Sequence, residues 1–381
     1  MPKLDRYISV GQKRLRCGYT TGTCAAAAAR GAAELLLTGK IPASVVVDTP
    51  AGVAVTIEFE EVSSGPGWAS CAVRKDGGDD PDVTDGMLVF ARVEYADEPG
   101  IAIDGGEGVG RVTREGLDQP VGNAAINSTP RRMIAEQVQI VIDASASSPG
   151  LKVAISVPGG EEVARKTFNP RLGIEGGISI IGTSGIVKPM SEDALIASIQ
   201  LEMRQRAAEG EHDLLVTPGN YGADFARDTL HLDLDGAVQC SNYLGASIDY
   251  AVELGFSSFL LIAHIGKAAK MAAGIMNTHS RVADGRRETM AAHAAMAGAS
   301  REAVARIMDA TTTDDAISIM DDEGVRDAAM RTLVDAVGFQ LHHRAGDLRI
   351  EAIVFSKVYG LLGMTAGAPE LLAKHVIEQN E

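Results

Sequence analysis

Ile262-Ala-His-Ile-Gly-Lys-Ala-Ala-Lys-Met-Ala-Ala-Gly-Ile-Met-Asn-Thr-His-Ser280 marks a change of secondary structure. The apolar run Phe259 to Ala263 stops at His264. A Gly-Lys step follows, then an alanine-rich helix, then the polar cluster Asn277, Thr278, His279, Ser280 and Arg281. A buried strand feeding a helix through a tight glycine turn is the unit of open α/β sheets, and ligands bind at that junction. Lys267, Lys270, Gly274 and Asn277 recur at three- and four-residue spacing, which predicts one shared helix face. Two ammonium groups and an amide there suit an anionic ligand; the plainer reading is a solvated lysine face. Gly266-Lys267 does not end a nucleotide phosphate loop, because Leu261 and Ala268 stand where that loop needs a glycine and a hydroxyl.

Outward from this stretch the pattern repeats. Ile178–Val187 contains the turn Gly182-Thr183-Ser184-Gly185. Leu214–Thr217 ends in Pro218-Gly219-Asn220, and a third run from Val238 ends in Ser241-Asn242. Helices are expected from Ser191 to about Ala208 and around Ile248–Leu254. Four short apolar strands separated by helices predict a parallel, doubly wound sheet. From Arg286 onward the chain reads as helical, with one further strand at Leu348–Phe355. Thr183, Ser184, Thr217, Asn220, Ser241, Asn242 and His264 then fall at carboxyl ends of strands, on one rim. Each alone is a turn residue; together they predict a ligand crevice. The rim has no strong acid–base pair or nucleophile dyad, which points to binding and positioning.

The N-terminal half reads as α+β. Gly18-Tyr-Thr20-Thr21-Gly22-Thr23-Cys24 opens an alanine helix to Leu37, and its three threonines exceed what a cap needs. Strands are expected at Ser44–Asp48, Val53–Glu60, Leu88–Tyr95 and Val153–Val157. Asp104-Gly-Gly-Glu-Gly-Val-Gly110 fits an acid followed by alternate glycines, as in a common methyltransferase loop. The β-branched Arg111-Val-Thr that follows favours the return strand of a hairpin. Asn127-Ser-Thr-Pro starts a helix with Arg131 and Arg132 near its positive end, which fits an external anion or a salt bridge. The expected organisation is an α+β domain over 1–170 and a doubly wound α/β domain, with a helical C-terminal region, over 171–381.

Composition narrows the function. The 381 residues are 45% hydrophobic and carry a net charge of −16. That acidity argues against nucleic-acid binding, which needs basic surface. No run of eighteen apolar residues exists to span a membrane, and Met-Pro-Lys-Leu-Asp-Arg lacks a signal-peptide core. A cytoplasmic protein is expected, and a homo-oligomer is compatible with the sequence. Cys17, Cys24, Cys71 and Cys240 form no Cys-x-x-Cys pair and read as reduced and buried. The histidines show no ligand spacing, so no metal site is expected.

Five segments, in order, resemble the cobalt-precorrin-5B C1-methyltransferase family of anaerobic cobalamin biosynthesis. They are Gly18–Ala28, Gly105–Thr113, Asn127–Ile134, Asn169–Met190 and Gly266–Asp284. Ala263-His-Ile-Gly-Lys267 departs from the family's Gly-His-Pro-Gly-Lys but keeps the histidine and lysine. The resemblance implies methyl transfer from S-adenosylmethionine to C1 of a cobalt-containing, ring-contracted tetrapyrrole, with the cobalt arriving in the substrate. Given that chemistry, Gly182, Thr183, Ser184, Gly185, Pro218, Gly219, Asn220, Ser241 and Asn242 are expected to hold the methyl donor. Thr20, Thr21, Gly22, Thr23, Arg131, Arg132, Lys267, Lys270, Asn277, His279 and Ser280 would hold the carboxylate-rich macrocycle. His264 is the candidate for any proton transfer, with a neutral structural histidine as the alternative.

Overall fold

The computed structural model describes residues 3–145 and 149–376, which form two compact units divided between Glu192 and Asp193. In the first unit the strands β1 (Val62–Gly65), β2 (Trp68–Arg74), β3 (Leu88–Ala96), β4 (Ile101–Gly105) and β5 (Gly150–Ser156) form a sheet in the order β1-β2-β3-β5-β4. Only the β5–β4 pair is parallel. Period-two burial puts Val89, Ala91 and Val93 of β3 and Leu151, Val153 and Ile155 of β5 in one core. Helices α1 (Thr21–Thr38) and α2 (Ser128–Ala144) contribute to that core. The alanines of α1 permit close approach: a Cβ at Gly31 would lie 2.5 Å from the Phe59 ring.

The first unit extends beyond the boundary expected at residue 170, because the segment after it pairs backward. Gly177–Ile178 runs parallel to Gly108–Val109, and Ile186–Val187 runs antiparallel to Gly18–Tyr19. The strand that runs into the Gly182–Gly185 turn, expected in the parallel sheet, does not lie there. The turn forms, with Gly182 at φ +144° and Gly185 at φ +74°, and the short strands on either side of it stay out of the parallel sheet. The Asp104 glycine segment is neither a helix-capping loop nor a hairpin with β4. Its strands pair with Gly177–Ile178 and Ile174–Glu175. Its glycines admit close backbone approach: a Cβ at Gly108 would lie 1.9 Å from the Val157 carbonyl oxygen.

The second unit is the doubly wound one. It begins with α3 (Glu192–Ala208), β6 (Asp213–Thr217), α4 (Asn220–Asp228), β7 (Val238–Gln239), α5 (Leu244–Glu253), β8 (Ser258–His264) and α6 (Ile265–Ala272). It continues with α7 (Arg286–Met296), α8 (Arg301–Asp309), α9 (Thr313–Asp322), α10 (Arg326–Ala345), β9 (Arg349–Ser356), β10 (Gly360–Met364) and α11 (Ala368–Leu372). The sheet order is β7-β6-β8-β9-β10, parallel except for β10. β8 is buried along nearly its whole length, as a strand covered on both faces must be. Leu214, Val216, Phe259, Leu261 and Ala263 face one core with α5, α6, α7, α9 and α10. Leu215, Leu260 and Ile262 face another with Ala226 of α4 and Leu371 of α11. From β6 the chain steps outward to β7; from β8 it steps the other way to β9. The topological switch point therefore lies between the carboxyl ends of β6 and β8.

Candidate functional site

At the switch point β6 ends in Thr217, fully buried, with a hydroxyl that has no hydrogen-bond partner among the described residues. Gly219 caps α4 with φ +148° and ψ −175°, a conformation open to glycine alone. The first turn of α4 carries no acidic residue, and Tyr221 in it is 56% exposed. A helix amino end in this state favours an anion. Helix and sheet are in close contact here: a Cβ at Gly222 would lie 2.7 Å from the Ile262 carbonyl oxygen and 3.1 Å from Thr217 Cβ. The next strand end, Ser241, adopts φ +52°.

His264 closes β8 and caps α6, with Nδ1 accepting from the Gly266 N–H at 3.2 Å. In neutral imidazole that bond uses the one free ring lone pair, so the proton sits on Nε2. The ring lies edge-on to Phe355 at 5.4 Å and tilted to Tyr221 at 6.3 Å. Burial holds its pKa below the ordinary histidine value; Asp314 opposes the shift and Lys357 adds to it. Lys357 stands 3.2 Å over the Tyr221 ring, and Phe225 stacks on Phe355 at 4.2 Å. Sequence reasoning missed this aromatic row, because its members come from α4 and β9, far apart in the chain.

The two lysines do not present a shared cationic face. Lys267 donates to the carbonyl oxygens of Pro218 at 2.9 Å and Ser241 at 2.7 Å, tying two strand-end loops together. Lys270 is buried and donates to Thr278 O at 3.1 Å and Ala283 O at 2.8 Å. Burial lowers the pKa of both. The helix they share stops at Ala272, and Gly274 (φ +79°) reverses the chain, so Asn277 leaves the face. The loop beyond returns to the rim. The Thr278 N–H donates to Asn242 O at 2.9 Å, its hydroxyl meets Asn242 Oδ1 at 3.1 Å, and Asn277 bridges to Tyr243. Asn277 Oδ1 and His279 Nδ1 accept backbone N–H groups within this loop, and Ser280 is exposed. Lys270 thus positions the loop from within. A cleft of about 290 Å³ in this unit is lined by Asp284, Arg286, Arg287 and Asp309–Thr313, and Asp284 lies 4.0 Å from Lys270 Nζ.

The remaining candidates belong to the first unit. Thr20 to Thr23 are buried and stitched to the Gly182–Gly185 turn. The Thr20 N–H donates to Gly185 O, Gly22 N–H and Thr21 Oγ1 donate to Ile181 O, and Thr23 Oγ1 donates to Gly185 O at 2.7 Å. Packing explains the surplus threonines, and a Cβ at Gly182 would meet Thr20 Oγ1 at 2.2 Å. Ser184 Oγ turns to Ile186 O, leaving Thr183 exposed. The Arg131 guanidinium is committed to the carbonyls of Ile126, Ile103 and Ala124, which answers the external-anion expectation for that residue. Arg132 is exposed, 3.7 Å from Glu136. Thr183 and Ser184 therefore leave the strand-end group, and Thr217, Asn220, Ser241, Asn242 and His264 remain on one rim.

The second unit is a doubly wound α/β domain with small polar residues gathered at its switch point. The family model described as CbiD matches residues 8–189, and that described as CbiD, C-terminal domain, matches residues 277–366. A relative from Ruminiclostridium cellulolyticum, named cobalt-precorrin-5B C(1)-methyltransferase, is 49% identical across 93% of this chain and 92% of its own. One of the same name from Alkaliphilus metalliredigens is 44% identical across 97% of both chains. A crystal structure of a cobalamin biosynthesis protein (cbiD) from Archaeoglobus fulgidus is 31% identical, covering 74% of this chain and 87% of that one, at a TM-score of 0.39. On the strength of the sequence matches, the chain belongs to the CbiD family. Among the described residues, no helix is long and apolar enough to cross a membrane.

Proposed function

We propose that this protein transfers a methyl group from S-adenosylmethionine to ring carbon C1 of cobalt-precorrin-5B, giving cobalt-precorrin-6A, with the donor held at the switch-point rim. The observation that carries the reading is the 49% identity, over nearly the whole chain, to a relative bearing that enzyme's name. The rim fits a methyl donor. Gly219 leaves the backbone uncovered, α4 opens without an acid, and the Thr217 hydroxyl is orphaned. Pro218, Gly219, Asn220, Ser241 and Asn242 would hold the donor, and the Asn277–Ser280 loop, bonded to Asn242, would flank the macrocycle. Bound there, the donor supplies a methyl group on a cationic sulfur, which an electron-rich ring carbon accepts without a protein nucleophile.

The chain's own contribution is orientation and exclusion of water. Burial disfavours the charged form of His264, so the ring does not repel a cationic donor, and it carries its proton on Nε2 while Nδ1 caps α6. Calorimetric titration with S-adenosylmethionine and S-adenosylhomocysteine, followed by turnover of methyl-labelled donor with cobalt-precorrin-5B, tests the proposal. Label in the macrocycle supports it. Macrocycle binding with no donor affinity, alone or in the ternary mixture, would make the protein a non-catalytic corrinoid carrier.

A further inference from the structure

Lys267 brings an ammonium group with three N–H donors to the rim, and two of them hold Pro218 O and Ser241 O. The ionisable groups acting on it are Cys240 and Lys270, and no carboxylate is among them. Cys240 is buried and its thiol is pushed up to about 12, so it brings no counter-charge. Among the described residues Lys267 meets only backbone carbonyls, so in a chain of net charge −16 this partly buried cation is an uncompensated charge. The amino end of α4 adjoins it through Pro218 and adds positive potential, with no acid in its first turn. Solvent reaches the Lys267 side chain, Gly219 and Asn220.

We propose that Lys267 is the anchor of a ligand carboxylate at the switch point. Two of its N–H groups clamp the end loops of β6 and β7, and the third donates to the carboxylate. The inference rests on the reading of this rim as the methyl-donor crevice. The donor's own amino-acid carboxylate is the favoured occupant. A carboxylate arm of the macrocycle offers the same chemistry, and the test separates the two. Lys267 is thus a binding and positioning residue, not a proton-transfer group.

The experiment is calorimetric titration of the full-length wild type and Lys267→Met with two probe pairs. One pair is S-adenosylhomocysteine and its decarboxylated amine; the other is a corrinoid with free carboxylate arms and its fully amidated form. Wild type should lose about tenfold or more in affinity when the occupant's carboxylate is removed, as expected for one charged hydrogen bond. Lys267→Met should bind both members of that pair equally weakly. Loss of discrimination in the first pair assigns the donor's carboxylate, and in the second pair the macrocycle's. Undiminished discrimination in both pairs overturns the inference while leaving the donor crevice intact. Wild type that binds neither pair sinks the crevice reading and this inference with it. A merely structural Lys267 would weaken every probe alike and leave the ratios unchanged. Should Lys267→Met not fold, Lys267→Gln is judged by the same ratios.

Discussion

His264 has a structural task at its strand end that its residue type alone does not reveal. The sequence placed it at a strand end, where it stands. Its ring nitrogen caps a helix, so removing the acceptor should cost stability before it costs chemistry. His264→Ala is expected to be about 1 kcal/mol less stable in urea unfolding, and His264→Asn, which retains an acceptor, close to wild type. If Asn restores turnover as well as stability, proton transfer at this ring is excluded. The pH dependence follows from burial. The pKa values of His264, His293 and His375 are all lowered, so the unfolded chain binds more protons below the ordinary histidine value of 6.5. Their stabilisation is complete above that value and is lost as pH falls through the lowered folded-state pKa values. The urea midpoint should therefore drop between about pH 7 and about pH 5, and the drop should be shallower in His264→Asn. A flat midpoint would contradict the burial of these rings.

At the scale of elements, α6 and the loop after it depend on one buried lysine. Lys270 satisfies two carbonyls of the Thr278–Ala283 segment, so Lys270→Met leaves both without their donor. A loss of about 2–3 kcal/mol is expected, with faster tryptic cleavage after the exposed Arg281. Unchanged cleavage would mean that Asn242 and Asn277 hold the loop unaided. The contact between α4 and β8 is equally specific. Gly222→Ala puts a methyl against the Ile262 carbonyl, and the helix must shift. Thermal unfolding should register about 1–3 kcal/mol, with weaker donor binding because the moved turn carries Gly219 and Asn220.

For the whole molecule, the question is which unit holds the methyl donor. S-adenosylhomocysteine should slow amide exchange in peptides from β6 through α6 and leave Gly18–Val187 unchanged. Protection at Gly182–Gly185 instead would move the donor to the first unit. Much of the fold was legible in the residues. The apolar runs of β6 and β8, the threonine-capped alanine helix α1 and the existence of α2 and α3 follow from local pattern, because burial and capping act over a few neighbours. The class of the second unit and five members of its rim followed from strands that end in small polar residues. Sequence periodicity did not reveal which partner each strand finds. The strand leading into the Gly182–Gly185 turn reads as part of the parallel sheet, but pairing with Gly108–Val109 and Gly18–Tyr19 keeps both sides of the turn in the first unit. Only the tertiary structure set Lys267 against two distant carbonyls, tied Arg131 to three more and sealed the threonines inside. It also assembled the aromatic row from α4 and β9. Hydrogen-bond partners and close contacts are decided by where the backbone brings remote segments together, whereas a residue's own neighbours along the chain decide only whether it is helical, extended or turned.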